Sequence, residues 1–295
     1  MWVEGIIIKG YGGFYYVRDQ EKFIWECKPR GRFKKENQQI LVGDRVQIKP
    51  LNNNKGVVEK ILPRFTELMR PPVANIDRAV IVFALKEPEP NLNLLDRFIL
   101  LSETSKVTPV ICFNKADLVP AEEIKAIVNN YNSIGYRVLV TSIKTGEGIE
   151  ELKVILKDHL TVFAGPSGVG KSSLLNAVQP GLSLKTGEIS TKLKRGKHTT
   201  RHVELLELLM GGYVADTPGF SSLYLPHIPK EELAEYFPEM DNYWNKCRFN
   251  GCLHFREPDC AVKEAVECGA ISNIRYEHYK IFLEEVMSQE RRYNK

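Results

Sequence analysis

The segment AGPSGVGKSSLLN, residues 164–176, carries Gly165, Gly170, Lys171 and Ser172 in the spacing G-x-x-x-x-G-K-[ST]. It follows an apolar run and precedes a helical pattern, the context in which that spacing has meaning. Glycines let the backbone curl until successive N–H groups point at phosphate oxygens, and the helix N-terminus adds partial positive charge. The whole loop, Gly165, Pro166, Ser167, Gly168, Val169, Gly170, Lys171, Ser172 and Ser173, is therefore expected to cradle the phosphates of a nucleotide. Lys171 is expected to reach the β and γ phosphates and Ser172 to ligate Mg²⁺. A second apolar run ends in DTPG, residues 216–219. There Asp216 is placed to hold the magnesium through water, and the Gly219 N–H to meet the γ-phosphate.

A different chemistry precedes this loop. NKAD, Asn114 to Asp117, closes the apolar run TPVICF. The Asp117 carboxylate can accept hydrogen bonds from the N1–H and 2-amino groups of guanine, donors that adenine lacks at those positions. Asn114 can contact the base or brace the loop, and the Lys115 stem can stack on the ring. TSIKTG (141–146) offers the backbone of Ser142, Ile143 and Lys144 to the guanine O6; its simpler reading is a strand-to-helix turn. Along the chain the parts thus run base, base, phosphate, switch, magnesium, whereas an ordinary GTP-binding domain places the phosphate loop first. A pocket depends on where strand ends meet in space. A domain whose termini lie close together tolerates being cut elsewhere and rejoined.

Between the phosphate loop and DTPG lies KLKRGKHTTRH (192–202). Thr199 or Thr200, with Thr200 favoured, is expected to sense the γ-phosphate and complete the magnesium shell. Phe220 follows DTPG where many small GTPases carry the glutamine that orients the attacking water, so unassisted turnover should be slow. His198 is the local substitute, since an imidazole can orient water or relay a proton. The competing reading is a histidine that contacts RNA phosphate or faces solvent.

Cys247, Cys252, His254 and Cys260 form C-x₄-C-x-H-x₅-C. Three thiolates and an imidazole make a closed tetrahedral zinc shell, which suits a structural role, and the metal would supply folding energy to a unit with little core. Cys268 is the rival fourth ligand. Cys27 and Cys112 lie in apolar strand patterns and read as buried thiols. With no secretion signal, six cysteines argue for metal rather than disulfides.

The elements that must position these groups follow from periodicity. In residues 1–65, GIIIKG, GFYYVRD, FIWECK, DRVQIKP and GVVEKIL read as five short strands separated by turn signals. They suit a small barrel of the OB type, with an SH3-like barrel as the alternative. PRFTELMRPP (63–72) reads as a linker. From about residue 75, buried strands alternate with amphipathic helices, which implies a parallel sheet covered on both faces. Short helices and one long helix finish the chain. The expected class is α/β: a circularly permuted P-loop domain (66–225), an all-β OB-type barrel (1–65) and a small α-rich zinc-binding domain (226–295).

The 295 residues contain 41 Lys and Arg against 37 Asp and Glu. A net charge of +4 does not by itself name a nucleic-acid partner, so its distribution matters more. One basic cluster is the switch segment. The other is KPRGRFKK (28–35), with Lys28, Arg30, Arg32, Lys34 and Lys35 near Tyr11, Phe14, Tyr15, Tyr16 and Phe33. That mixture suits RNA on an OB-type groove, though several of these aromatics must fill the barrel core. No run of about 18 apolar residues, lipidation signal or cleavable leader is visible. A cytoplasmic monomer with no membrane attachment is expected.

Together GDRV, RPPVANID, NKADL, GPSGVGKSSLLN, TGEIS, RGKHTTR, DTPGF and the cysteine cluster cover nearly the whole chain. In these motifs it resembles the circularly permuted ribosome small subunit-dependent GTPases, the RsgA or YjeQ family. One departure is Ile143, where relatives usually have alanine. The resemblance implies hydrolysis of GTP to GDP and phosphate, stimulated by the small (30S) ribosomal subunit. It also implies a checkpoint in late subunit maturation that helps release an assembly factor, with the barrel and zinc domains on 16S rRNA near the decoding region. It points to His198 as the catalytic group, and to His254 rather than Cys268 on zinc. A different class of reading is an RNA-binding placeholder whose GTP state sets its residence time. Because the segment after DTPG leads into the cysteine-rich unit, nucleotide state is expected to move that unit as a whole.

Overall fold

The computed structural model describes residues 2–69, 71–182, 203–216 and 223–293. Five strands come first: β1 (Val3–Tyr11), β2 (Phe14–Asp19), β3 (Ile24–Pro29), β4 (Arg45–Pro50) and β5 (Lys55–Ile61). They pair in the order β1-β2-β3-β5-β4, and β1 also pairs with β4, which closes a barrel of the OB type. Alternation sends Ile7, Val17, Cys27, Val46, Ile48 and Val58 to its interior. The basic stretch after β3 is not an open loop. Gly31–Lys35 forms a short helix, α1, because Phe33 is drawn into the barrel core and is only 4% exposed.

The expected linker contains a small hairpin, β6 (Glu67–Met69) and β7 (Pro72–Ala74). Pro72 sits at the first position of its strand, where a missing N–H is tolerated. This hairpin explains two motifs that carry no nucleotide chemistry. Gly43 of GDRV has φ +90, and a Cβ there would lie 2.1 Å from the Ala74 carbonyl oxygen. Asn75 of RPPVANID donates to the Gly43 carbonyl (2.9 Å) and accepts from the Phe65 N–H (3.1 Å). Asp44, fully buried, takes a two-pronged contact from Arg64 at 2.7 and 2.8 Å.

Strands and helices then alternate: β8 (Arg78–Ala84), α2 (Leu92–Thr104), β9 (Thr108–Asn114), α3 (Ala121–Asn132), β10 (Arg137–Val140), α4 (Ile149–Leu156), β11 (Leu160–Ala164), α5 (Lys171–Val178), β12 (Glu204–Glu207) and β13 (Tyr213–Asp216). The sheet order is β10-β9-β8-β11-β13-β12. The first five are parallel and β12 is antiparallel to β13. Apolar clusters cover both faces, as a parallel sheet requires. The C-terminal ends of the parallel strands therefore meet along one edge, the place where such sheets bind ligands. β12 in turn pairs with β1 of the barrel at Lys9↔Glu204, so barrel and sheet form one continuous eleven-stranded ladder.

The chain ends in α6 (Ala261–Glu267) and α7 (Asn273–Tyr293), preceded by single turns at 233–236, 238–240 and 244–246. Buried charge joins this unit to α2. Arg275 (3% exposed) lies 2.7 Å from Asp96 as an ion pair angled off the hydrogen-bond direction. It hydrogen-bonds Glu239 at 2.7 and 3.2 Å. His278 Nδ1 meets the other Asp96 oxygen at 2.5 Å. Burial opposes the guanidinium's charge, yet Asp96 and Glu239 hold its pKa above the usual arginine value.

Candidate nucleotide and metal sites

The phosphate loop joins β11 to α5. Gly165 has φ +128, and a Cβ on it would lie 2.1 Å from the Val82 carbonyl oxygen of β8. Gly170 has φ +98, and a Cβ there would strike Asn114 Nδ2 at 2.4 Å. Both positions thus admit only glycine, one for close passage over the sheet and one for contact with the base segment. Lys171 donates to the carbonyls of Gly165 (2.9 Å) and Pro166 (2.6 Å), so its ammonium is held inside the loop. Burial lowers its pKa.

The base segment is bound to this loop. Asn114, 1% exposed at the end of β9, donates from Nδ2 to the Val169 carbonyl at 2.8 Å and accepts from Thr141 Oγ1 at 3.1 Å. Asn114 therefore braces the loop, the second of its two expected roles. Asp117 accepts from Ser142 Oγ at 2.6 Å, with Lys144 Nζ 3.8 Å from its other oxygen. Ser142 and Lys144 of TSIKTG thus hold the Asp117 carboxylate through their side chains. Lys115, in the left-handed region at φ +62, donates to the Glu87 carbonyl. Ile143 is 39% exposed, and its Cδ1 would lie 3.9 Å from a Cβ on Gly170.

Ser172 and Asp216 provide the test for magnesium. Ser172 Oγ is buried with no hydrogen-bond partner in the structure. Asp216 is 7% exposed at the end of β13, on the same edge of the sheet. A hard divalent cation prefers oxygen ligands, and an orphaned buried hydroxyl and a buried carboxylate at the same edge of the sheet suit one. His198, Thr199, Thr200, Gly219 and Phe220 lie outside the described residues, as do the motifs TGEIS and RGKHTTR.

Cys247, Cys252, His254 and Cys260 converge, with all four ligand atoms within 4.8 Å of one another. The Cys247 and Cys260 sulfurs are 3.8 Å apart, and His254 Nδ1 lies 3.5 and 3.4 Å from them. Tetrahedral zinc with Zn–S bonds of about 2.3 Å demands a sulfur–sulfur edge near ~3.8 Å, so the set fits zinc. Cys268 is exposed and donates to the Ala265 carbonyl, outside the cluster. Burial and the neighbouring sulfurs push the Cys252 thiol up to about 12 when no cation is present. The loop is held from below: the Tyr276 and Tyr279 hydroxyls donate to the carbonyls of His254 and Leu253, both at 2.8 Å. Glu257 collects the N–H groups of Leu253, Phe255 and Arg256.

Comparison with known proteins agrees with this geometry. Residues 61–226 match the RsgA GTPase family model, and residues 4–58 match the RsgA N-terminal domain. The small ribosomal subunit biogenesis GTPase RsgA of Moorella thermoacetica is 53% identical over 292 residues, covering 99% of this chain and 100% of the relative. The crystal structure of YjeQ from Thermotoga maritima superposes with a TM-score of 0.87 at 40% identity, over 97% of this chain and 99% of that one. YloQ, a circularly permuted GTPase, gives 0.84 at 42% identity, over 98% and 96%. The chain belongs to the RsgA GTPase family. It is a GTP-hydrolysing enzyme whose motif order is that of a circular permutation.

Within the RsgA fold, the structure brings together two motifs that the sequence separates by some fifty residues, through the contact of Asn114 with Val169. Sequence reasoning missed Thr141 and Glu87. Thr141 was hidden because a threonine at a strand end has no signature of its own. The Glu87 contribution is a backbone carbonyl, which no side-chain pattern announces. Among the described residues, no helix is long and apolar enough to cross a membrane.

Proposed function

We propose that this RsgA-family enzyme hydrolyses GTP to GDP and phosphate in small-subunit biogenesis, as the names of its relatives say of them, and that the 30S subunit stimulates the reaction. In this reading Asp117 selects guanine, Asn114 ties the base segment to the phosphate loop, and Lys115 lies along the base. Ser142, Ile143 and Lys144 close the base side. Residues 165–173 hold the phosphates, with Lys171 turning from the Gly165 and Pro166 carbonyls to the β and γ oxygens. Ser172, Asp216 and Thr200 would hold magnesium, which supplies charge neutralisation at the phosphates. His198 orients water. Cys247, Cys252, His254 and Cys260 hold one structural zinc. The chain acts as a cytoplasmic monomer of three parts, with boundaries near residues 65 and 225.

The Asn114–Val169 bond supports this reading most directly, because it makes one pocket from permuted parts. For 16S rRNA, the supporting feature is a groove of about 700 Å³ on the barrel, lined by Tyr15, Lys28, Arg30, Phe33, Asn37 and Gln39. Lys28 also lies 5.0 Å from the Phe14 ring centroid. Phe33 itself is core rather than a stacking platform.

The test is GTP turnover with and without purified small subunits, using large subunits as control. Stimulation by small subunits alone is expected, lost on His198→Ala while nucleotide affinity stays. Equal rates with and without small subunits would remove the proposed partner.

A further inference from the structure

Several hydrogen bonds that hold the metal loop involve none of its four ligand atoms. His254 stands at φ +54, in the left-handed region, and a residue so placed turns neighbouring N–H groups toward one side. The Glu257 carboxylate fills that concavity. One of its oxygens accepts from the Leu253 N–H at 3.1 Å, and the other from the N–H groups of Phe255 at 2.9 Å and Arg256 at 3.0 Å. Hydrogen bonds to an ionised acceptor are roughly twice as strong as neutral ones. The carbonyls of the same stretch are taken by the helices below: Leu253 by Tyr279 and His254 by Tyr276, both at 2.8 Å, and Glu257 by Lys263 at 2.9 Å. Those helices belong to a unit with more core than the sequence led us to expect. Phe237, Met240, Val262, Phe282, Leu283 and Val286 are each no more than 1% exposed. On α7, Tyr276 and Tyr279 grip the loop while Arg275 and His278 reach Asp96 of α2.

We propose that Glu257 is a positioning residue for zinc: it shapes residues 253–256, and with them the backbone that carries the His254 imidazole, independently of the metal. The proposal rests on the zinc reading of Cys247, Cys252, His254 and Cys260. Affinity follows from the shape. A loop that must order itself as it binds loses part of its binding free energy to that ordering, and a loop held beforehand does not. Groups that orient metal ligands typically govern about 10–100-fold of metal affinity. A second consequence concerns the fold. Chelation frees the ligand atoms but leaves the core, the Glu257 bonds and the α7–α2 contacts in place. Zinc then fastens a surface that is already formed, rather than folding the unit.

The test uses the full chain. Zinc affinity is read by competition with a chromophoric chelator, and amide exchange over residues 253–256 by mass spectrometry with and without metal. Glu257→Ala should weaken zinc binding about 10–100-fold. Glu257→Gln keeps one acceptor oxygen and should fall between that variant and the parent. Cobalt-loaded Glu257→Ala should keep the parent's spectrum for three thiolates and one imidazole, because no ligand has changed. In the metal-free parent the 253–256 amides should stay protected; in metal-free Glu257→Ala they should lose that protection, while α7 keeps its helical signal in both. A carboxylate that merely supports the fold would lower the stability of metal-free and zinc-loaded protein alike and leave the zinc affinity where it was. That result overturns the proposal, as does free exchange of these amides in the metal-free parent. If Glu257→Ala fails to fold, the affinity of Glu257→Gln and the exchange of the parent still decide. A parent that binds no zinc removes the metal reading and the proposal with it. A parent that binds zinc, with both variants matching it, refutes the positioning role alone.

Discussion

Replacing Arg275 by methionine tests how the C-terminal unit is fastened. The methionine keeps an apolar stem against Phe237, whose ring centroid lies 4.9 Å from the guanidinium, but removes the charge. Two carboxylates then lose their counter-ion: Asp96, 1% exposed, and Glu239, 8% exposed. Breaking a buried ion pair from one side costs about 3–5 kcal/mol, because the remaining charge stays desolvated. His278 still faces Asp96 at 2.5 Å and offsets part of the loss there. Glu239 gives both of its oxygens to Arg275 and bears most of the loss. The expected destabilisation is therefore about 3 kcal/mol, at the lower end of that range. Urea unfolding followed by helical circular dichroism reads it, since α7 contributes 21 helical residues. The triple variant Arg275→Met, Asp96→Asn, Glu239→Gln removes the stranded charges and should recover most of the loss. A single variant that loses under about 1 kcal/mol would refute the reasoning, as would a triple variant no better than the single.

Gly170→Ala should weaken GDP and GTP binding on the order of 100-fold, from backbone strain at φ +98 and a Cβ 2.4 Å from Asn114 Nδ2 that breaks the bond to Val169; equilibrium nucleotide titration measures it, and parent-like affinity would show that the loop can shift at no cost. For the metal unit, alkylation should label exposed Cys268 at once, and Cys247, Cys252 and Cys260 only after chelation. Cys27 and Cys112 should react only on unfolding, since burial pushes both thiols up to about 12. Prompt labelling of Cys252 in the metal-loaded protein would contradict the zinc assignment, as would loss of stability in Cys268→Ser.

The nucleotide site was legible in the sequence because its chemistry is local: glycines, a lysine and a hydroxyl must follow one another at fixed spacing to wrap a phosphate. The cysteine–histidine cluster was legible for the same reason, with His254 preferred to Cys268 by the family resemblance, and the four residues do converge while Cys268 lies outside. What escaped was short or long-range. α1 is five residues long, too short for a helical period to show, and Phe33 reads equally well as a stacking residue or as the core residue it is. The β6–β7 hairpin was hidden by prolines that exclude a central strand but not an edge position. The Asp96–Arg275–Glu239 clamp joins positions far apart in the chain, and nothing local in LLDRF or NIRYEH marks the partner. The Lys9↔Glu204 pairing depends on strand register, which emerges only once strands from two domains are laid side by side.

The two attachments that flank the nucleotide site differ in kind, and this bears on which part nucleotide state can move. The expectation was that the cysteine-rich unit would swing, because the chain enters it directly after DTPG. That unit is fixed to α2 by buried charges, and Arg97 adds a pair to Glu285 at 2.6 Å together with a hydrogen bond to the Leu223 carbonyl at 3.0 Å. Swinging it away would part Asp96 of α2 from both Arg275 and His278, a buried pairing of the kind whose loss costs about 3–5 kcal/mol. Among the described residues, the barrel meets β12 through one backbone register and pairs that include Lys9–Glu204, Arg18–Glu207 and Lys22–Glu207, whose side chains are 16–73% exposed. Pairs of this exposure contribute about 0–1 kcal/mol each. A nucleotide shifts an equilibrium only by its differential affinity for the two states, so the cheaper displacement is the one it can drive. β12 is also the strand to which the chain returns after the switch segment. The barrel, with the hairpin that Asn75 and Arg64 bind to it, carries fewer buried charged contacts to the sheet than the C-terminal unit does, among the described residues.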